Sequence, residues 1–155
     1  MSIEKVKAFF AGKDMADKVL EFDVSSATVE LAAIALGCEE CRIAKTLSFH
    51  VNDKVVLVVT AGDVKIDNQK YKAVFGTKAK MLAHEEAPVL IGHAVGGVCP
   101  FAVNEGVEVW LDVSLQRFET VFPACGSASS AIELTPAQLE ELSVSLGWID
   151  VTKPR

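Results

Sequence analysis

The sequence is poor in the residues from which most recognisable catalytic sites are built. It holds three histidines, His50, His84 and His93, and none shows a metal spacing such as HExxH. No serine stands in a GxSxG setting, so no nucleophile elbow is indicated. Its glycines spell neither a P-loop nor GxGxxG. Apolar runs are short, Val55-Val56-Leu57-Val58-Val59 among them, whereas a membrane span needs roughly 20 such residues. The opening residues lack the basic-then-apolar layout of a signal peptide, so the expected compartment is the cytoplasm and no membrane partner is expected. Four cysteines occur, Cys38, Cys41, Cys99 and Cys125, and without a secretory context a disulfide framework is not expected. Cys38-Glu39-Glu40-Cys41 spells CxxC. A zinc site wants a second tight pair, and a redox motif should open a helix after a strand. Here the pair follows Gly37, where a helix ends. The four are read as reduced thiols, and no metal or cofactor is expected.

What the chain does have is core-forming material. Half of its 155 residues are hydrophobic and 23% are charged, which fits one ordered domain over 1–155. The net charge is −6, but it is unevenly spread. Residues 1–41 carry net −4, residues 42–80 net +5, and residues 81–155 net −7. A basic segment in an acidic chain permits contact with phosphates while keeping non-specific binding weak. A solvated helix face explains the same charges, and DNA is not an expected partner.

Helical and strand-like patterns alternate, so the expected fold class is mixed α/β: a single compact domain with a mixed, mostly antiparallel sheet wrapped by helices. Ser2 is placed to cap a first helix that stops at Gly12. Ser25 or Ser26 is placed to cap a second over Thr28–Leu36, closed by Gly37. Residues 42–49 and Val55–Thr60 read as strands joined by an Asn52-Asp53 turn. A short helix capped by Asn68 and ending at Gly76 is expected, and another capped by Thr77 and running to about Glu86, stopped by Pro88. Val89–Ile91, Val107–Leu111, Phe118–Phe122 and Ala131–Leu134 read as strands. Thr135-Pro136-Ala137-Gln138 carries the signature of a capped helix start.

Three features carry chemical interest. In Ile43-Ala44-Lys45-Thr46-Leu47-Ser48-Phe49, alternation puts Lys45 on the same face as Ile43, Leu47 and Phe49. A lysine on an apolar face is costly unless it meets an anion, lines a cleft or snorkels from an edge. The loop Gly92-His93-Ala94-Val95-Gly96-Gly97-Val98-Cys99-Pro100 can bring backbone close to another molecule, or can be a tight structural turn. Cys125-Gly126-Ser127-Ala128-Ser129-Ser130 is small and polar, suited to a substrate loop or to a surface turn.

In order and spacing these segments resemble the YbaK family of tRNA-editing proteins, from roughly Leu20 to Leu142. Ser26-Ala27-Thr28-Val29-Glu30-Leu31-Ala32-Ala33 with Leu36-Gly37 is similar to its first helix, and Ile43–Leu47 to the strand bearing its lysine. Phe75-Gly76 and Lys78-Ala79-Lys80 are similar to its basic middle. Gly96-Gly97-Val98-Cys99-Pro100 fits its GxxxP loop, and Gly126-Ser127 its late glycine-serine turn.

The resemblance implies a partly barrel-like sheet and a reaction, hydrolysis of the ester joining an amino acid to the terminal adenosine of tRNA. Cys or Ala on proline tRNA is the implied substrate, and related domains sit inside some prolyl-tRNA synthetases. It implies that Lys45 holds the phosphate or ribose end of that adenosine, with Gly96, Gly97 and Pro100 forming the loop that grips the ester. Thr28, Thr46, His93, Gly126, Ser127 and Ser129 become candidate substrate contacts. Lys65, Lys70, Lys72, Lys78 and Lys80 become candidate contacts to the tRNA backbone. An aminoacyl ester is already activated, so positioned water, the substrate's own ribose hydroxyl or a cysteine substrate's thiol could supply the attack. Two alternatives stand: a non-catalytic module that binds aminoacyl-tRNA or a synthetase, and a small redox or zinc protein built on Cys38 and Cys41.

Overall fold

In the computed structural model, which describes residues 2–22, 28–94 and 97–155, a long hairpin forms the centre. The elements run α1 (Ser2–Ala11), β1 (Leu20–Glu21), α2 (Val29–Leu36), β2 (Ile43–Val51), β3 (Lys54–Ala61), β4 (Val64–Ile66) and α3 (Asn68–Phe75). They continue with α4 (Glu86–Leu90), β5 (Glu108–Asp112), β6 (Phe122–Pro123), β7 (Ser130–Ala131), α5 (Pro136–Leu142), β8 (Trp148–Ile149) and β9 (Thr152–Pro154). β2 and β3 are joined by Asn52-Asp53, with Asn52 at φ 55°, a left-handed conformation that asparagine tolerates.

The main sheet has the order β6-β2-β3-β5-β8, with β2–β3 antiparallel and the flanking pairings parallel. Two small antiparallel pairs, β1–β7 and β4–β9, lie beside it. Neither β6 nor β8 pairs with the other, so the sheet is mixed and stays open rather than closing into a barrel. β3 is apolar on both faces because both are covered. Leu57, Val59 and Ala61 join the main core with Phe10, Ile91, Phe101 and Leu139, while Val56 and Val58 join a second cluster with Phe49 and Tyr71.

The N-terminal cap of α2 within the described residues is Thr28, whose hydroxyl accepts from the Leu31 N–H at 3.1 Å; Ser25 and Ser26 lie outside those residues. α3 is capped by Asp67 rather than Asn68, its carboxylate accepting from the Gln69 and Lys70 N–H groups. The capping box at Thr135 and Gln138 forms as expected. Thr135→Ala removes one half of it and is expected to cost about 1 kcal/mol, a fall in Tm of roughly 2–4 °C for a chain of this size. A melting curve unmoved by the substitution would show that tertiary packing alone holds α5.

Two expected elements differ. No helix forms over residues 77–85, and Glu86 opens α4. Instead Lys80 to Leu82 lie along β2: the His50 N–H donates to the Lys80 carbonyl at 2.8 Å and the Leu82 N–H to the Ser48 carbonyl at 3.2 Å. The end of β2 has main-chain groups that need partners, and a segment with no 3.6-residue apolar stripe supplies them. Val89 and Leu90, expected in a strand, lie in α4. The Glu86 carboxylate accepts from the Ala83 N–H at 2.7 Å, and Pro88 falls in the first helical turn, where its missing N–H costs nothing. The strands expected near Phe118 and Ala131 are shorter, Phe122–Pro123 and Ser130–Ala131, with Val121 and Leu134 bridged beyond them.

Candidate active site

The edge of β2 is covered at two places, by β6 at Ile43-Ala44 and by residues 80–82 at Ser48–His50. Between them Lys45, Thr46 and Leu47 have no strand neighbour on that edge among the described residues. A cleft of about 410 Å³ opens there. Its walls are mostly apolar: Val29, Ala32 and Leu36 from α2, Met81 and Leu82 from the covering segment, and Val98, Phe122, Ala124 and Ala131 opposite. The polar lining is sparse: Thr28, Lys45, Thr46, Ser48, His84 and Ser130. That size, with an apolar wall and few polar groups, is the usual make-up of a small-molecule site.

Lys45 stands where the apolar face of β2 changes hands. Ile43 packs with Ala32, Ala33 and Phe122, whereas Leu47 and Phe49 pack with Tyr71 and Val58. The lysine fills the break, half-buried, and its Nζ donates to the Val64 carbonyl at 2.5 Å. Burial first, and then the charge of Arg155, hold its pKa below the ordinary lysine value, while Asp63 and Glu30 push the other way. An ammonium carries three donors, so the Val64 bond leaves capacity for an anion. Thr46 points to the opposite face, yet both line the cleft because it opens at the strand's edge. The Thr46 Oγ1 is buried and has no hydrogen-bond partner among the described residues.

Gly97 lies against the late glycine-serine turn. A Cβ there would sit 2.7 Å from the Gly126 carbonyl carbon and oxygen and 2.8 Å from the Ser127 nitrogen. The Gly97 N–H donates to the Ala94 carbonyl at 2.9 Å, so it is already committed within its own loop; Gly96 lies outside the described residues. Pro100 is buried beside this loop.

His93 is fully buried and does not line the cleft. Its Nε2–H donates to the Phe101 carbonyl at 2.7 Å, and burial lowers its pKa, keeping the ring neutral. Ser127 bonds within its turn, Oγ to the Ser130 Oγ at 2.9 Å, and the Ser129 N–H donates to the Ser127 Oγ at 3.3 Å. Ser130 is the serine that reaches the cleft, placed there by the pairing of β7 with β1. Nothing in the run Ser127-Ala128-Ser129-Ser130 distinguishes it from its neighbours in sequence.

The basic residues are dispersed. Lys72 and Lys78 share a second, shallow cleft of about 400 Å³ with Asn68, Gln69 and Ala79. Lys80 is exposed on the segment that covers β2. Lys65 is exposed on β4, opposite Lys153. Lys70 is committed internally, to the Asp150 carboxylate at 3.0 Å and the Thr152 carbonyl at 2.9 Å. Burial pushes the Cys99 thiol up to about 12 and raises Cys125 too, so neither offers a thiolate at neutral pH. Cys38 and Cys41 are half-buried with raised pKa values, and among the described residues no three His, Cys, Asp or Glu side chains are grouped to hold a metal.

The cleft, the lysine strand and the two glycine loops all fall inside residues 23–142, the span matched by the family model of the aminoacyl-tRNA editing domain. The chain belongs to that family. The editing domain is 54% identical over 154 residues to the uncharacterized protein YwhH of Bacillus subtilis, covering 99% of this chain and 98% of that one. It is 32% identical over 110 residues to a proline–tRNA ligase of Bacillus cereus, covering 69% of this chain and 19% of the ligase, so it spans about a fifth of that enzyme's length. Among solved structures, a proposed trans-editing enzyme for prolyl tRNA synthetase superposes with a TM-score of 0.88 at 27% identity, covering 98% of this chain and 97% of the other. The hypothetical protein APE2540 superposes at 0.80 with 26% identity, covering 92% and 99%. No helix among the described residues is long and apolar enough to cross a membrane.

Proposed function

We propose that the chain is an aminoacyl-tRNA deacylase that removes Cys or Ala from proline tRNA, working in the cytoplasm alone or beside prolyl-tRNA synthetase. The observation that carries this is Lys45, half-buried on the wall of a small, mostly apolar cleft with its ammonium bonded to the Val64 carbonyl. The apolar wall takes a short side chain, and the ammonium takes the phosphate or ribose of the terminal adenosine. In the reaction the oxygen of water bonds to the ester carbonyl carbon and the bond from that carbon to the ribose oxygen breaks. The ribose oxygen leaves with one of the water's protons, the other passes to solvent, and the amino acid leaves as a carboxylate.

No side-chain nucleophile is needed, because the ester is activated and orientation supplies much of the rate. Lys45 and the Thr46 hydroxyl are two donors in the lining of the cleft suited to this task, the second because it is buried and unpaired among the described residues. Thr28 at the mouth and the turn of Gly126, Ser127 and Ser129 shape the pocket around the amino acid. Pro100 and His93 support the glycine loop from behind. Lys65, Lys72, Lys78 and Lys80 meet the tRNA backbone, and Lys70 joins them by exchanging Asp150 for a phosphate.

The test is a deacylation assay on proline tRNA charged in turn with Cys, Ala, Ser and Pro. Faster release of Cys or Ala than of Pro is the expected result. Binding of all four without hydrolysis would replace the enzyme with a carrier of aminoacyl-tRNA.

A further inference from the structure

The residue that holds the Lys45 ammonium is not on its own strand, and the strand that carries it pairs beyond the family-matched span. Its acceptor is the main-chain carbonyl of Val64, on the three-residue strand β4. Among the described residues β4 has a single ladder partner, β9, in the register Val64–Pro154, Lys65–Lys153 and Ile66–Thr152. β9 lies beyond residue 142, where the family match stops.

β9 is itself pinned from below by Asp112, a fully buried carboxylate at the end of β5. One of its oxygens accepts from the Val151 N–H at 2.9 Å, and the other from the Thr152 hydroxyl at 2.8 Å and the Ser114 N–H at 2.9 Å. Past β9, the Arg155 N–H donates to the Asp63 carbonyl at 3.2 Å. The Arg155 guanidinium lies 3.9 Å from Glu30 on α2 and 4.0 Å from Glu40, so it spans from the last strand to the helix that walls the cleft.

We infer that β9 and Arg155 are the positioning element for Lys45, holding its ammonium at the cleft through the Val64 carbonyl. Without that strand β4 has no ladder, the carbonyl is free to turn away, and a long lysine stem relaxes toward water. The charged groups facing Lys45 come from three elements: Glu30 on α2, Asp63 in the turn before β4, and Arg155 after β9. Arg155 is the cation among them and opposes the protonated lysine. Removing it therefore raises the pKa of Lys45, and removing the whole strand raises it further by exposing the ammonium.

The test compares the wild type, Arg155→Gln, Arg155→Lys and a chain ending at Val151, which lacks the whole of β9. The ε-carbon resonances of 13C-labelled lysines are followed against pH, beside kcat and KM for ester hydrolysis. Lys45 is expected to titrate below the exposed lysines in the wild type, to move up in Arg155→Gln, and to return in Arg155→Lys. In the shortened chain its resonance should merge with those of the exposed lysines, and kcat should fall about tenfold or more, because the ammonium no longer meets the substrate where the cleft places it. A folded shortened chain with the wild-type Lys45 titration and kcat would overturn the inference. If the shortened chain does not fold, an Arg155→Gln titration identical to the wild type overturns it instead. The kcat measurement rests on the proposed deacylase reading. A wild type that hydrolyses no ester would sink that reading, while the titrations still decide this one.

Discussion

Lys45→Ala is expected to lower kcat/KM for deacylation of the preferred mischarged tRNA by about 10²–10³-fold, the usual cost of removing a donor from a developing charge. The fold should survive. Lys45 is held in the native state with a depressed pKa, mainly through burial, so its charge is a cost to folding at neutral pH. That cost is present below the folded-state pKa and fades as pH rises through it toward the ordinary value. Alanine removes the cost together with the bond to the Val64 carbonyl, so the two changes oppose one another. The melting temperature at neutral pH should therefore stay within a few degrees of the wild type, about 2–4 °C. Lys45→Met keeps the apolar stem and separates lost charge from lost packing. Equal loss of activity in Ala and Met variants assigns the effect to the ammonium. A fully active Lys45→Ala enzyme would remove the centre of the proposed function.

How much of this was legible before the fold is best seen residue by residue. Thr135 to Gln138 specify their helix start with local hydrogen bonds alone, and the box forms as the four residues predict. Lys45 was visible because alternation in a strand is strict, and one charge among Ile43, Leu47 and Phe49 breaks it. Val89-Leu90-Ile91 reads as a strand and is not one, because three apolar residues carry no period and the side chain of Glu86 decides for helix. The open edge of β2 could not be read at all. It depends on Phe122 arriving at Ile43 from far along the chain and Lys80 arriving at His50. The same holds for the Val64 carbonyl, because a main-chain acceptor has no sequence signature. Ser130, not Ser127 or Ser129, lines the cleft because β7 pairs with β1, which sets Ser130 opposite Glu21.

Gly97→Ala should be a strongly damaging methyl addition on the glycine-loop side of the cleft. The new Cβ would meet the Gly126 carbonyl carbon and oxygen at 2.7 Å and the Ser127 nitrogen at 2.8 Å. All three are main-chain atoms, and Gly126 is itself in the left-handed region at φ 93°, so no flexible side chain can yield. The two loops must part by several tenths of an ångström. Overpacking of this kind costs about 1–3 kcal/mol. Val98, next in sequence, lines the cleft, as does Ser130 at the end of the neighbouring turn. Parting the loops therefore widens the pocket on the side away from Lys45. Activity should fall more than stability accounts for, since a shift of about 1 Å at a site can cost 10²-fold. The fall should be larger for the favoured amino acid than for bulkier ones, because a pocket that fits a short side chain loses its contacts when the wall moves back. Gly12→Ala is the matched control: its Cβ would come no nearer than 3.4 Å to the Phe9 carbonyl, at the end of α1 and away from the cleft. Equal, small effects of the two substitutions on Tm and on kcat/KM would show that the Gly97 and Gly126 loops are not held in register. A large loss confined to Gly97→Ala would show that the close approach of these two backbones sets the width of the cleft.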